Sequence, residues 1–546
     1  SQGHHVEAEA MSRDRIYLFD TTLRDGAQTQ GVDFGVEDKR LIAEALDRLG
    51  VDYVEGGWPG ANPTDTAFFS NPPELKHAKL AAFGMTRRAG RSTDNDPGLA
   101  ALLDGRSDAV VLVGKTWDFH ATDILGLTLE ENIDLIRDSV AAVKQKNREP
   151  LFDAEHFFDG YKSNPEFALA CAKAAYDGGA RWVVLCDTNG GTLPDEVEKI
   201  VGDVIKTVPG ENLGIHAHND TDHAAANSFA AVRAGVRQIQ GSLNGLGERC
   251  GNANLASIIP TLHLKAGYRD KYETGVSDDG LAHLTQVSRL LDELLARAPD
   301  RNAPYVGTAA FAHKGGLHVS AVEKNPQSYE HIAPELVGNV RHILVSDQSG
   351  RSNILARLRE IGLNVDPKDP KVERLLEDVK EREFQGLSYD GAEASFELLA
   401  RRALGSVPEY FRIEGFRALV ERRHNARGEL VTVSEATTKV NVDGEVIMSA
   451  GEGNGPVNAL DNAIRKNLGK YSGHLEGLEL VDFKVRILTQ EGTGAVTRVM
   501  IETLDENGER WSAVGVSPNI VDAAFEALFD SFTYKLYRDG APPGEF

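Results

Sequence analysis

RIYLFDTTLRDG, Arg15–Gly26, is a short apolar run that ends in a knot of polar residues. A run of this length bounded by turn residues predicts a buried strand. In an open doubly wound sheet the first strand would lead into a glycine-rich phosphate loop, and here TTLRDG stands in that place. Seven further runs follow: DYVEGG, KLAAFG, AVVLVG, LFDAEH, WVVLCD, NLGIHAH and IQGSLNG. Helical patterns such as EDKRLIAEALDRLG and LEENIDLIRDSVAAVKQK separate them. Strand–helix units repeated over about 250 residues predict an α/β fold, a closed (β/α)8 TIM barrel across residues 15–277, with the open sheet as the alternative.

In such a barrel the site lies at the C-terminal ends of the strands. Asp20–Asp25, Glu55, Glu155, Asp187–Thr188, His216–His218 and Asn244–Asn252 all fall at or just past those ends. His216 and His218, two residues apart on one strand, point to the same side. Two imidazoles and a carboxylate from elsewhere make a divalent-metal site with positions left for substrate. Asp25 is the candidate carboxylate, and the GERCGN loop (Gly247–Asn252) offers an amide oxygen. A pair of structural histidines is the alternative reading of an isolated HxH.

The chain has 546 residues, too many for one core, so several domains are expected. Its net charge of −24 argues against nucleic-acid and anionic-membrane partners. No apolar run approaches the roughly 20 residues of a membrane span, and no signal peptide precedes the first strand. Cys171, Cys186 and Cys250 are an odd number without CxxC spacing, which fits a reducing cytoplasm. SQGHHVEAEA lacks periodicity. Residues 1–14 are expected to form a flexible tail, with Met11 a plausible native start.

Beyond the barrel, amphipathic helices dominate residues 278–405, broken by the irregular stretch NAPYVGTAAFAHKGGLHVSAV. Residues 406–546 carry an internal repeat. A hairpin signal at Asp443–Gly444 leads to VNALDNAI, and one at Asn507–Gly508 leads to VDAAFEAL. Two sheet–helix modules are expected, forming an α+β regulatory domain or simply a dimerisation surface.

The motifs FDTTLRDGAQ, DTNGGTLP, HAHND, LNGLGERCGNANL, FAHKGGLH and GEGNGPVNAL, in this order, resemble the family of 2-isopropylmalate, citramalate and homocitrate synthases. GWPGANPTDT and DAEHFFDGYK look most like its longer citramalate-forming members. The resemblance implies a metal-dependent Claisen condensation of acetyl-CoA with a 2-oxo acid. Pyruvate is the preferred acceptor and 2-oxoisovalerate the alternative. It implies Asp25, His216, His218 and Asn252 as ligands of a divalent ion (Mn, Mg, Zn or Co), with Glu248 orienting the ion or its waters. Arg24 would stabilise the developing oxyanion, and Thr188 would bind the carboxylate of the 2-oxo acid. Gln28 and His120 are counted with the substrate-binding residues. Glu155 would be an active-site glutamate, although DAEH departs from the commoner SPED. His318 and Tyr329 would arrive from the helical region, in the family from the partner subunit, implying a homodimer. The C-terminal domain would bind a branched-chain amino acid, isoleucine if citramalate is the product. A hydroxymethylglutaryl-type lyase, a biotin carboxyltransferase and an inactive amino-acid sensor share parts of this pattern. They fit less well because this chain continues past the barrel, lacks a Met-Lys-Met site and keeps Arg24, Asp25, His216 and His218.

Overall fold

The computed structural model describes residues 12–546 apart from 296, 298, 314–315, 344–350, 385–388, 390, 406 and 489–494. The chain divides into two compact units. One extends to Phe311 and takes in Ile332–Val340; the other comprises Ala312–His331 and Arg341–Phe546.

In the first unit the eight expected strands are parallel and close into a barrel in chain order. They are β1 (Tyr17–Asp20), β2 (Tyr53–Gly57), β3 (Lys79–Met85), β4 (Ala109–Lys115), β5 (Glu149–Glu155), β6 (Trp182–Asp187), β7 (Leu213–Ala217) and β8 (Gln238–Gly241). Closure comes from β8 pairing with β1, Tyr17 opposite Gln238. Side-chain alternation sorts each strand between two cores. On β4, Val110 and Leu112 face the helices while Ala109 and Val111 face the barrel interior. On β6, Val183 and Leu185 face out; Trp182, Val184 and Cys186 face in. Each such aliphatic side chain contributes roughly 1.5–3 kcal/mol by leaving water. The interior is plugged: Tyr17 and Trp182 rings lie 5.2 Å apart, and Trp182 Nε1 donates to the Tyr53 hydroxyl. With no channel through it, a barrel of this kind carries its site at the end where the strands finish.

The helices Asp278–Leu281 and Leu284–Leu294 place Leu281, Leu284, Val287 and Leu291 in the barrel's outer core. The barrel unit thus continues past the expected boundary at 277. Residues 1–11 of the expected tail lie outside the described residues, while Asp14–Arg15 pairs in parallel with Tyr272–Glu273.

In the second unit, helices Arg351–Glu360, Pro370–Phe384 and Glu393–Leu404 share a core of Ile354, Leu358, Val372, Leu375, Val379 and Phe396. The stretch read as irregular contains the helix Gly316–Lys324. The C-terminal repeat is two antiparallel three-stranded sheets, each followed by a helix. β9 (Arg412–His424), β10 (Leu430–Val442) and β11 (Glu445–Gly453) precede the helix Pro456–Arg465. β12 (Glu479–Ile487), β13 (Thr497–Leu504) and β14 (Arg510–Ser517) precede Ile520–Arg538. Gly444 and Gly508 occupy equivalent turns at φ +87° and +80°, a conformation costly for other residues. The first strand of each module escaped the sequence reading. β9 and β12 are mostly exposed, so they lack a clean apolar alternation. No helix among the described residues is long and apolar enough to cross a membrane.

Candidate metal centre

The turn after β1 is tight: the Thr21 carbonyl accepts from the N–H groups of Arg24 and Gly26. It leaves Asp25 buried at the barrel mouth. Gly214 and His216 are inward positions of β7, and His218 follows one period later, in an antiparallel bridge with Asn252. Asp25, His216 and His218 are buried, with one ligand atom from each mutually within 4.8 Å. Asp25 Oδ2 lies 3.0 Å from His216 Nε2 and 3.5 Å from His218 Nε2. The structure brings together the three residues that HxH and Asp25 pointed to.

Two features make the cluster suited to a cation. The Asn252 amide donates its Nδ2–H to the Leu246 carbonyl at 3.1 Å, while its Oδ1 is buried without a hydrogen-bond partner. A buried unpaired oxygen is costly, and a metal ion is a natural partner for it. His216 Nδ1 meets Gln240 Oε1 at 2.8 Å, and Gln240 Nε2 in turn faces Gln238 Oε1 at 3.3 Å. That chain puts a proton on Nδ1 and leaves Nε2 for the ion, the usual arrangement behind a metal-bound imidazole. Gln240 was not singled out in the sequence, although its inward place on β8, beside β7, follows from alternation.

The charges are coupled. Burial alone would raise the Asp25 carboxyl, but Arg24, His216 and His218 hold it well below the usual carboxylate range. Burial would likewise lower His216, yet its bond to Asp25 raises it. Burial and the neighbouring His216 push His218 down to about 4.

Arg24 is fixed rather than free. Its Nε donates to Glu55 Oε1 at 2.6 Å, and its guanidinium lies 3.9 Å from the Phe83 ring centroid. Thr21 Oγ1 donates to the same Glu55 oxygen at 2.8 Å. Burial works against the arginine's charge, but Glu55, Asp25 and Asp153 outweigh it and raise its pKa. Asp153, on the inward face of β5, was missed. It is buried, its Oδ1 has no hydrogen-bond partner, and burial followed by the Glu55 charge pushes its pKa up to about 7.

A second group gathers at the ends of β4 to β6. Glu155 closes β5 and pairs with Lys115 at 2.8 Å. The Thr188 hydroxyl oxygen accepts from the His156 N–H at 2.8 Å. The His120 ring sits 4.7 Å from both Trp117 and His156. Burial, then the charges of His156 and Lys115, lower its pKa. Gln28 and Glu248 are both exposed. In the latter loop Arg249 makes the strong contact, a bidentate pair with Asp220 at 2.8 and 2.9 Å, and it also donates to the Thr188 carbonyl. His318 and Tyr329 belong to the second unit, where their rings stack at 4.2 Å.

The HMGL-like family model matches residues 15–289, which contain the whole barrel. The homocitrate synthase post-HMGL domain-like model matches 305–386, and the LeuA allosteric (dimerisation) domain matches 390–536. An (R)-citramalate synthase of Geobacter sulfurreducens is 51% identical, over 96% of this chain and 98% of that one. That of Aquifex aeolicus is 49% identical over the same shares. The chain belongs to the citramalate synthase family. A probable 2-isopropylmalate synthase of Methanopyrus kandleri is more distant, 32% identical over 94% of this chain and 97% of that one. Membership makes this an acyl-transferring condensing enzyme with a dimerisation domain. FDTTLRDG and HAHND supply Asp25, His216 and His218, the cluster described above.

Proposed function

We propose that this enzyme condenses acetyl-CoA with pyruvate and hydrolyses the thioester, giving (R)-citramalate and CoA for isoleucine synthesis. The observation that carries the reading is the near-full-length identity to (R)-citramalate synthases, 51% and 49%, against 32% to the 2-isopropylmalate synthase. It is an acyltransferase in which the acyl group becomes an alkyl group on transfer.

Asp25, His216, His218 and Asn252 would hold one divalent ion: Mn, Mg, Zn or Co. Bound there, such an ion supplies Lewis acidity to the carbonyl of the 2-oxo acid. Glu55 takes the Nε–H of Arg24, so the terminal nitrogens are left for the substrate carbonyl oxygen as its charge grows. The Thr188 oxygen is already an acceptor for the His156 N–H, which leaves its O–H to donate to the substrate carboxylate. A base removes a proton from the acetyl methyl. That carbon then bonds to carbon 2 of pyruvate, and the carbonyl pair moves to oxygen and is protonated. Water cleaves the thioester to a carboxylate and the CoA thiol. Glu155, held by Lys115, and His318, stacked on Tyr329, are the two candidate bases. The second pair would be delivered from the partner subunit's linker region. Gln28 and His120 would serve the outer substrate positions, and the effector of the C-terminal domain would be isoleucine. Cys171, Cys186 and Cys250 are all free thiols, in keeping with a reducing cytoplasm.

The test is CoA-thiol release with acetyl-CoA and pyruvate, 2-oxobutanoate, 2-oxoisovalerate or 2-oxoglutarate. Each added methyl group is worth about 1–3 kcal/mol of discrimination and 2-oxoisovalerate carries two, so kcat/KM should favour pyruvate by at least about 30-fold. Faster turnover of 2-oxoisovalerate would assign the enzyme to leucine synthesis instead.

A further inference from the structure

The helix Val36–Leu49 carries a lysine where its face meets the barrel, and that lysine is almost wholly removed from solvent. A buried ammonium persists only where its donors are satisfied. Lys39 Nζ donates to the Leu23 carbonyl at 2.9 Å and to the Gly56 carbonyl at 2.7 Å, and pairs with Asp65 Oδ1 at 2.7 Å. These two carbonyls occupy particular places. Leu23 is the residue before Arg24 and Asp25, and Gly56 is the residue after Glu55, the carboxylate that anchors Arg24. The strand β2 is irregular at this point, with a register shift between Glu55 and Gly57. Gly57 adopts φ +140°, and a Cβ there would lie 2.6 Å from the Asp65 carboxylate. Asp65 is held in turn by the Trp58 N–H at 2.9 Å and the Asn62 amide at 3.1 Å.

We propose that Lys39, with Asp65, is a positioning residue of the metal centre: it clamps the loop bearing Arg24 and Asp25 to the end of β2 bearing Glu55. Lys39 touches neither ion nor substrate. It acts through two backbone carbonyls, one on each side of the Arg24–Glu55 pair, and so fixes the separation of those segments. Without it both carbonyls are buried acceptors lacking their donor, and the Leu23 loop is free to relax away from His216. The proposal rests on Asp25 being a metal ligand.

The experiment uses the full-length protein freed of metal with chelator and titrated with Co2+, read by its visible absorption, with circular dichroism to establish folding. Lys39→Met keeps the unbranched stem as far as Cε and removes the ammonium; Asp65→Asn keeps the shape of the partner; Asp25→Ala is the control. Removing support behind a ligand typically weakens metal binding by about 10–100-fold, so Co2+ affinity should fall by that range in Lys39→Met. Asp65→Asn should show a smaller fall in the same direction, and Lys39→Arg should recover part of the loss. In turnover, kcat should fall more than KM rises. A folded Lys39→Met protein that binds Co2+ within about 3-fold of wild type, while Asp25→Ala has lost it, overturns the clamp and leaves the metal reading intact. Undiminished Co2+ binding by Asp25→Ala overturns both. If Lys39→Met does not fold, Asp65→Asn decides: wild-type Co2+ affinity there refutes the proposal.

Discussion

Replacing Arg24 by lysine keeps a positive charge at the barrel mouth and removes everything planar about it. The guanidinium makes two contacts, Nε on Glu55 at 2.6 Å and a face on Phe83 at 3.9 Å, and the proposed oxyanion role adds a third task, terminal nitrogens for the substrate oxygen. One ammonium can replace the first or the last but cannot reach both. If it pairs with Glu55, which is fully buried and also holds Thr21, the substrate oxygen loses its donor. The loss of one donor to a developing oxyanion costs about 2.7–4 kcal/mol, a fall of about 100- to 1000-fold in kcat. If the ammonium turns to the substrate, Glu55 loses a charge-assisted bond, about 1.5–3 kcal/mol of stability, together with about 0.5–2 kcal/mol of cation–π contact. The two outcomes separate experimentally. Steady-state kinetics of Arg24→Lys, with acetyl-CoA saturating and pyruvate varied, should show the drop in kcat with KM changed only a few-fold; denaturant unfolding reports the stability cost. Near-native kcat would refute the oxyanion role and return Arg24 to a purely structural ion pair with Glu55.

Gln240→Leu removes the acceptor behind His216 Nδ1 and should weaken metal affinity by about 10–100-fold without unfolding the barrel, as read by metal titration of chelator-treated protein. The raised pKa of His216, held up by Asp25 against burial, gives a pH signature. In metal-free protein the imidazolium–Asp25 bond contributes stability that is fully present below the unfolded value of about 6.5 and is lost as pH rises through the higher folded value. A metal competes with that proton, so affinity should climb across the same window; titrations at several pH values check it, and a flat profile would contradict the assignment. His218, pushed down to about 4, is neutral throughout that range. For the C-terminal domain, isothermal titration should show isoleucine binding the intact protein, and truncation near Val407 should abolish inhibition by it.

Much of this protein was legible in its sequence because the relevant physics is local. A parallel strand buried on both faces reads as a short apolar run, and a two-residue period puts His216 and His218 on one face whatever surrounds them. Asp25, at the end of the first such run, was placed at the mouth by the rule that strand ends carry the site. Gly444 and Gly508 marked their turns because few other residues accept that conformation. What the tertiary structure decided are pairings between distant segments. That Glu55 holds Arg24, that Asp153 sits unpaired on the inward face of β5, and that Gln240 sets the proton on His216 depend on which strands become neighbours on closing the barrel. Lys39 reads in sequence as one more charge on an amphipathic helix; only packing places it on the carbonyls of Leu23 and Gly56. Glu248 and Gln28, adjacent in sequence to site residues, are exposed, because turns send neighbouring side chains in different directions. Periodicity specifies the face a residue lies on, and the closure of the barrel specifies which residues meet it.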